Sequence, residues 1–113
     1  MHSIKPYKKN DLALWKLISD KISSGHYLFL AHAKEKLGER NISEFETLAI
    51  LENKNHRNRK RNKKKDAYNP SFADWTYCIE GNDIDENKIR IIISFDETNM
   101  LVITVIRIDI ERH

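Results

Sequence analysis

Residues 88–110 read KIRIIISF, DETN and MLVITVIRIDI in succession, and this stretch decides the fold class. Its two apolar runs are rich in β-branched residues and are separated by a short polar segment, which is the pattern of two strands joined by a turn. Apolar and charged residues alternate at the end of the second run, so we expect one buried and one solvated face there. The stretch therefore predicts an antiparallel hairpin.

Working back from this hairpin, residues 75–79 form a third strand-like segment, and residues 80–87 are a turn rich in Gly, Asn and Asp. Residues 11–23, 31–40 and 44–52 have the apolar spacing of amphipathic helices. Because the helices come first and the strands last, we expect an α+β fold. In this fold, N-terminal helices pack on a C-terminal antiparallel β-sheet of three or four strands.

The chain has 113 residues, which is enough for one hydrophobic core. We expect a single domain over residues 1–113, with a helical part at 11–52, a basic loop at 53–70 and a sheet at 75–110. Cys78 is the only cysteine, which excludes an intramolecular disulfide and fits a reducing compartment. Residues 1–10 lack the apolar segment of a secretory signal, and no apolar run is long enough to cross a bilayer. These features predict a cytoplasmic protein with no membrane partner.

Positive charge is concentrated in residues 54–65, KNHRNRKRNKKK, which contain eight basic side chains and no acidic one. The rest of the chain has more acidic than basic residues. Such asymmetry is typical of polyanion contacts, so we expect this run to be solvent-exposed and to bind RNA. The predicted RNA-binding residues are Lys54, Arg57, Arg59, Lys60, Arg61, Lys63, Lys64 and Lys65. Tyr68, Phe72 and Trp75 follow the run and offer faces on which unpaired bases would stack. The alternative is a solvated loop without a specific partner.

The second predicted helix carries a row of charged side chains. His32, Glu35, Lys36, Glu39 and Arg40 share one face, because three- and four-residue spacings repeat along it. An imidazole there would serve as an acid or a base near neutral pH, and the cations would stabilise charge on a phosphate. The other interpretation is an exposed helix face with ion pairs.

Arginines also interrupt the predicted hairpin. If its two strands pair across the turn, Arg90 lies roughly opposite residues 105–107, and Arg107 would be its neighbour on one face. Two adjacent cations repel each other unless an anion bridges them, which would suit a phosphate site. The alternative is that each pairs with an acid of the sheet, Glu80 or Asp109.

Motifs for metals and cofactors are missing from the sequence. His26, His56 and Cys78 do not have the spacing of metal ligands, so no metal site is predicted. There is no Gly-rich phosphate loop and no nucleophile elbow, and we expect no cofactor.

A family resemblance accompanies these residues. The pattern His32-Ala33…Leu37…Glu39-Arg40-Asn41-Ile42-Ser43…Phe45 resembles the helix–turn–helix of DUF4258-type and BrnT-like small toxin proteins. The later strands, around residues 89–92 and 101–105, resemble their last two strands. Lys36 stands where the family has an arginine, and Asn41 where it has a glycine. The resemblance covers roughly residues 27–108, with the basic run as an insertion.

This resemblance implies a RelE/ParE-like ribonuclease toxin architecture and a partner antitoxin. Carried over by position, the candidate catalytic residues are His32, Lys36, Arg40, Arg90 and Arg107, to which the helix face adds Glu39. The leading hypothesis is therefore a type II toxin–antitoxin endoribonuclease that cleaves RNA without metal. Its basic loop would dock RNA, free or on the ribosome. Two alternatives remain open: a non-catalytic RNA- or DNA-binding module, and a regulatory domain that contacts an acidic partner. Whether the protein is an enzyme is not decided by the sequence.

Overall fold

The computed structural model describes residues 5–109 and contains three α-helices and a six-stranded, mostly antiparallel sheet. The helices are α1 (Asp11–Ser24), α2 (Ala31–Arg40) and α3 (Glu44–Leu51). The strands are β1 (Tyr27–Phe29), β2 (Lys60–Arg61), β3 (Ala67–Asn69), β4 (Asp74–Asn82), β5 (Lys88–Phe95) and β6 (Met100–Arg107). The α+β class is confirmed, while the sheet has more strands than the three or four expected.

The strands follow the order β1-β6-β5-β4-β2, and β3 pairs with the beginning of β4. The antiparallel meander of β4, β5 and β6 agrees with the predicted one. The short strand β1 is different, because it joins β6 in parallel, with Tyr27 opposite Met100. This pairing links distant parts of the chain, so no local signal in residues 27–30 indicated it.

The sheet has a face covered by helices and an open face opposite to it. Side chains alternate between the faces along each strand, and directly opposed residues share a face. Three opposed residues are fully buried on the helix-covered face: Ile79, Ile91 and Val105. They share one core with residues of all three helices, among them Leu14, Leu37 and Ile50. Their neighbours Glu80, Arg90 and Ile106 lie on the open face.

Helix ends lie where capping residues predict them. Asn10 caps α1 by accepting a hydrogen bond from the Ala13 N–H, and Gly25 ends that helix with a φ of 76°. Asn41 takes the left-handed conformation after α2. The Ser43 hydroxyl accepts from the Glu46 N–H at the start of α3.

Strand β4 extends beyond its predicted end, so the turn expected at residues 80–87 begins only after Asn82. Within this extension, the lack of a side chain at Gly81 allows Ile50 and the Arg57 carbonyl to lie close to the strand. A Cβ at Gly81 would lie 2.7 Å from a methyl group of Ile50 and 3.0 Å from the Arg57 carbonyl oxygen. That same carbonyl accepts a hydrogen bond from the Asn82 N–H, at 2.7 Å. Residues 54–65, which we call the basic segment, are thereby held against β4. Within this segment, Lys60 lies opposite Glu80.

Residues 53–70, the predicted basic loop, are not free of regular structure. They contain β2, a 3₁₀ turn at Lys63–Lys65 and β3. At the other end of the chain, β6 ends at Arg107, and the predicted strand residue Ile110 lies outside the described residues.

Candidate nucleic-acid interface

Arginines and lysines of the basic segment occupy different environments. Arginine stands at positions 57, 59 and 61, and all three side chains turn inward: Arg57 is 7% exposed, the Arg61 side chain is 2% exposed and Arg59 is half-buried. The lysines are all exposed. The expectation that the whole run is solvent-exposed is therefore wrong for the arginines. Their every-second-residue spacing, which is the period of a strand with one buried face, was the signal available in the sequence.

Arg57 is held by α3. Its Nη1 and Nη2 donate to the two carboxylate oxygens of Glu46 at 3.0 and 2.9 Å, and its Nε donates to the Lys54 carbonyl. Glu46 also accepts from the backbone N–H of Ile84. Glu46 therefore joins the basic segment and the β4–β5 turn to α3.

The other two arginines attach the segment to α1, to the end of α3 and to itself. The Arg59 guanidinium lies 3.9 Å from the ring centre of Trp15, and it donates to the last carbonyl of α3. Burial lowers the pKa of Arg59. Arg61 forms ion pairs with Asp66 at 2.9 Å and with Asp11 at 3.0 Å. The charges of these three arginines are therefore engaged by groups of the protein itself.

The remaining cations of the segment face solvent. We call Lys60, Lys63, Lys64 and Lys65 the lysine surface. Only Lys63 among them has an acidic partner within the described residues, Asp11 at 3.3 Å, and this hydrogen bond contributes most to lowering the pKa of that carboxyl. Lys54 stands apart and pairs with Glu52.

Glu80 lies beside the lysine surface on the open face, directly opposite Lys60. Its Oε2 accepts from Arg90 Nε at 2.9 Å and from Asn62 Nδ2 at 3.0 Å. Burial alone would raise the pKa of Glu80, but the hydrogen bonds from Asn62 and Arg90 outweigh it, and the net pKa lies below its ordinary value. Glu80 is therefore a carboxylate at neutral pH. The sequence placed it in a turn and did not identify it as a site residue.

Two grooves meet at Lys60 and Glu80. One, of about 320 Å³, is also lined by Asn58, Asn82 and Lys88. The other, of about 490 Å³, runs along residues 60–64. Both have volumes typical of sites that hold small ligands, about 300–1,000 Å³. Lys88 is thus a further cation of the interface that the sequence did not indicate.

The charged face of α2 lies elsewhere. His32 is exposed, and Lys36 forms a 3.4 Å ion pair with Glu39. Both features agree with the alternative interpretation, an exposed helix face with ion pairs. Arg40 is half-buried, and among the described residues its Nε is one of two enclosed side-chain polar atoms without a hydrogen-bond partner. Helix α2 packs over β6, which is three positions from β2 in the sheet, roughly 14 Å at about 4.8 Å per strand.

The strand arginines do not form one site. Arg90 is opposite Ile106 on the open face, whereas Arg107 is opposite Ile89 and therefore points to the other side. Arg107 donates to Asn87 at 2.8 Å and contacts Asp109 at 3.4 Å. The expectation that the two arginines are neighbours on one face is wrong, and the pairing with acids holds for both. His32 and Arg90 are also separated, because α2 lies on the helix-covered face.

The aromatic residues that follow the basic run contact the start of the described chain. Tyr68 and Trp75 pack edge to face, with ring centres 6.0 Å apart, and Lys5 lies over both rings. Trp75 Nε1 donates to the Pro6 carbonyl. Both rings are half-buried, so these faces are already occupied in part.

Among residues 5–109, no group of three His, Cys, Asp or Glu side chains is placed to hold a metal ion. No helix in this range is long and apolar enough to cross a membrane.

The fold and the interface define a class of small α+β protein: a helix-backed sheet whose edge carries a cationic segment anchored by its arginines. Residues 29–107 match the family model described as "Domain of unknown function (DUF4258)". The chain therefore belongs to the DUF4258 family. Searches of curated proteins and of solved structures gave no match. Helix α1 and its capping residues precede the matched region.

Proposed function

We propose that this protein binds RNA and that the lysine surface contacts the RNA phosphates. The observation that carries the proposal is the division of the basic segment into inward arginines and outward lysines. Lys60, Lys64 and Lys65 are exposed and have no acidic partner within residues 5–109, so their charge remains available to a polyanion. An exposed ammonium group binds a phosphate oxygen as a point charge, without demands on base sequence.

The inward arginines support this proposal indirectly. Acidic groups beside the lysine surface would weaken its attraction for phosphates. Arg61 pairs with Asp66, Asp11 is shared between Arg61 and Lys63, and Arg90 pairs with Glu80. The carboxylates nearest the lysines are therefore balanced mainly by arginines of the fold. The positive field of the exposed lysines extends into solvent.

The test compares two variants with the same change in net charge. One is the triple variant Lys60→Ser, Lys64→Ser, Lys65→Ser. The matched control replaces Lys8, Lys16 and Lys34, which are also exposed but lie outside the basic segment. Fluorescence anisotropy with a labelled RNA dodecamer should show a loss of affinity of at least tenfold in the first variant and little change in the control.

Equal losses in both variants would show that only net charge matters and would contradict a defined interface. DNA and polyglutamate are the competitors in the same assay. Displacement of the RNA by polyglutamate at an equal charge concentration would favour an acidic protein as the partner instead. Equal competition by single-stranded DNA would show that the protein is a nucleic-acid-binding module without a preference for RNA.

A second candidate is a toxin-like endoribonuclease of a type II toxin–antitoxin system, with a cognate antitoxin as its protein partner. The observation in its favour is the Arg40 guanidinium, whose enclosed Nε has no partner among the described residues, on the same helix as His32 and Lys36. His32 or Glu39 would take the proton of a 2′-hydroxyl as that oxygen attacks the adjacent phosphorus. The bond to the 5′-oxygen would break, and the leaving oxygen would take a proton from a water molecule, while Lys36 and Arg40 stabilise the phosphate charge.

Arg90 would not belong to that centre, since it lies on the open face, away from α2. Arg107 points to the helix-covered face, where it is bound by Asn87 and Asp109. Growth arrest on expression, relieved by His32→Ala or Arg40→Ala while RNA affinity is unchanged, would support the ribonuclease. Unimpaired growth, together with intact total RNA after incubation with pure protein and ribosomes, would leave RNA binding as the function.

A further inference from the structure

We infer that Glu80 reads the bound nucleic acid: its free carboxylate oxygen accepts a hydrogen bond from the exocyclic amino group of a base in single-stranded RNA. This inference rests on the proposed RNA binding and adds a preference for amino-bearing bases. It concerns the one acidic side chain that lines both grooves beside the lysine surface.

The two oxygens of Glu80 have different surroundings. Oε2 accepts from Arg90 and Asn62 and lies 3.9 Å from the Cys78 sulfur. No hydrogen bond to Oε1 is formed within residues 5–109. The residue as a whole is only 7% exposed.

Oε1 is nevertheless not completely enclosed. Within the described chain, Glu80 Oε1 is not one of the fully enclosed side-chain polar atoms that lack a hydrogen-bond partner. Because Oε2 carries all the hydrogen bonds of the carboxylate and Glu80 lines both grooves, Oε1 is the oxygen left to accept from a ligand there. Arg90 and Asn62 fix the carboxylate plane, so this acceptor is held in one orientation before any ligand binds.

An acceptor in this position suits an amino group. A carboxylate only accepts hydrogen bonds, and the N4 amino group of cytosine is a usual donor to Glu and Asp. Adenine offers the same chemistry through N6. Uracil has no amino group, and its one edge donor lies between two carbonyl oxygens that repel a carboxylate. The phosphate contacts of Lys60 and its neighbours would set the register in which the base reaches Glu80.

Single-stranded RNA is the form that exposes this edge. In double-helical RNA the amino groups are paired, and the major groove is too deep and narrow for side chains to read. The grooves at Glu80 are shallow recesses on the open face, beside the exposed lysines. An unpaired base therefore enters where a helix would not.

The experiment measures the affinity of the full-length protein for the dodecamers C12, A12 and U12. Wild type should bind C12, A12 or both about tenfold more tightly than U12, which is the size of one hydrogen bond to a charged group. A C12 whose cytosines carry two N4 methyl groups keeps its charge and rings but has no amino donor. It should bind wild type as weakly as U12.

Glu80→Gln should remove the preference and strengthen U12 binding, because a negative charge leaves the phosphate site. Glu52→Gln, the same change in charge at a side chain paired with Lys54, should keep the preference. Equal wild-type affinity for all dodecamers, or a preference that survives Glu80→Gln, would overturn the inference and leave RNA binding intact. Failure of every dodecamer to bind would refute the proposed function itself. The methylated RNA tests wild-type protein, so the result does not depend on the folding of a variant.

Discussion

The Arg57 guanidinium and the Glu46 carboxylate form two parallel hydrogen bonds, at 3.0 and 2.9 Å, with both side chains largely removed from solvent. A residue from the most basic part of the sequence is thus an internal anchor. Removing one member of a buried ion pair leaves the other charge without compensation.

Arg57→Ala should therefore lower the free energy of unfolding by about 3 kcal/mol. The matched change Lys64→Ala, in the same segment but at an exposed side chain, should stay within about 0.5 kcal/mol of wild type. Urea denaturation followed by circular dichroism measures both. Equal, small effects of the two substitutions would contradict the structural role assigned to the arginine.

Gly81 and Gly38 should respond in opposite directions to the same substitution. Gly81→Ala would push a Cβ against Ile50 and the Arg57 carbonyl, and should cost about 1–3 kcal/mol of stability. Gly38→Ala, in the interior of α2 with open space around its Cα, should stabilise by about 0.5–1 kcal/mol. Thermal unfolding of the two variants would show the difference, and a stabilised Gly81→Ala protein would mean that the basic segment does not lie against β4.

Glu80 should make stability depend on pH. Its pKa in the folded protein lies below the ordinary value of 4.5, so between these two values the unfolded chain binds more protons. Its contribution is then fully present above the ordinary pKa and is lost as the pH falls through the lowered one. Compared with Glu80→Gln, wild type should keep its relative stability above about pH 5 and lose it as the pH falls below the ordinary value of 4.5.

Urea midpoints of both proteins across this range provide the measurement. The comparison cancels Asp11 and Asp96, whose pKa values are also lowered but which both proteins share. A stability difference that is constant with pH would contradict the charged network around Glu80.

Cys78 should be unreactive in the native protein. Burial, together with the neighbouring Glu80 carboxylate, raises the pKa of its thiol to about 12. A disulfide-exchange reagent should label it in denaturant but only very slowly in the native state. Rapid stoichiometric labelling of folded protein would show that β4 is more accessible than its contacts indicate.

Local signals in the sequence predicted much of the fold. The caps at Gly25, Asn41 and Ser43 and the strands β5 and β6 depend on neighbouring residues, so they could be identified from short patterns. The parallel pairing of β1 with β6 could not be identified in this way, because the hydrogen-bond partners of β1 lie in a strand that is distant in the sequence.

The site was predicted only in part, for a related reason. Charge density identified the segment on which the proposal rests, but the partners of its arginines are Glu46, Asp11 and Asp66. Two of these acids lie on helices that are distant from the segment in the sequence. Glu80 was assigned to a turn because Gly81 and Asn82 follow it. In the structure Gly81 lies within strand β4, where the lack of a Cβ allows the Arg57 carbonyl to approach its backbone closely.

The salt dependence of RNA binding tests the role of the lysine surface most directly. Each phosphate contact on a single strand contributes about 0.7 to the slope of log affinity against log salt. The variant Lys60→Ser, Lys64→Ser, Lys65→Ser should therefore bind a labelled RNA dodecamer with a slope shallower than that of wild type by about 2. An unchanged slope in this variant, with an affinity equal to that of wild type, would contradict RNA binding by these lysines.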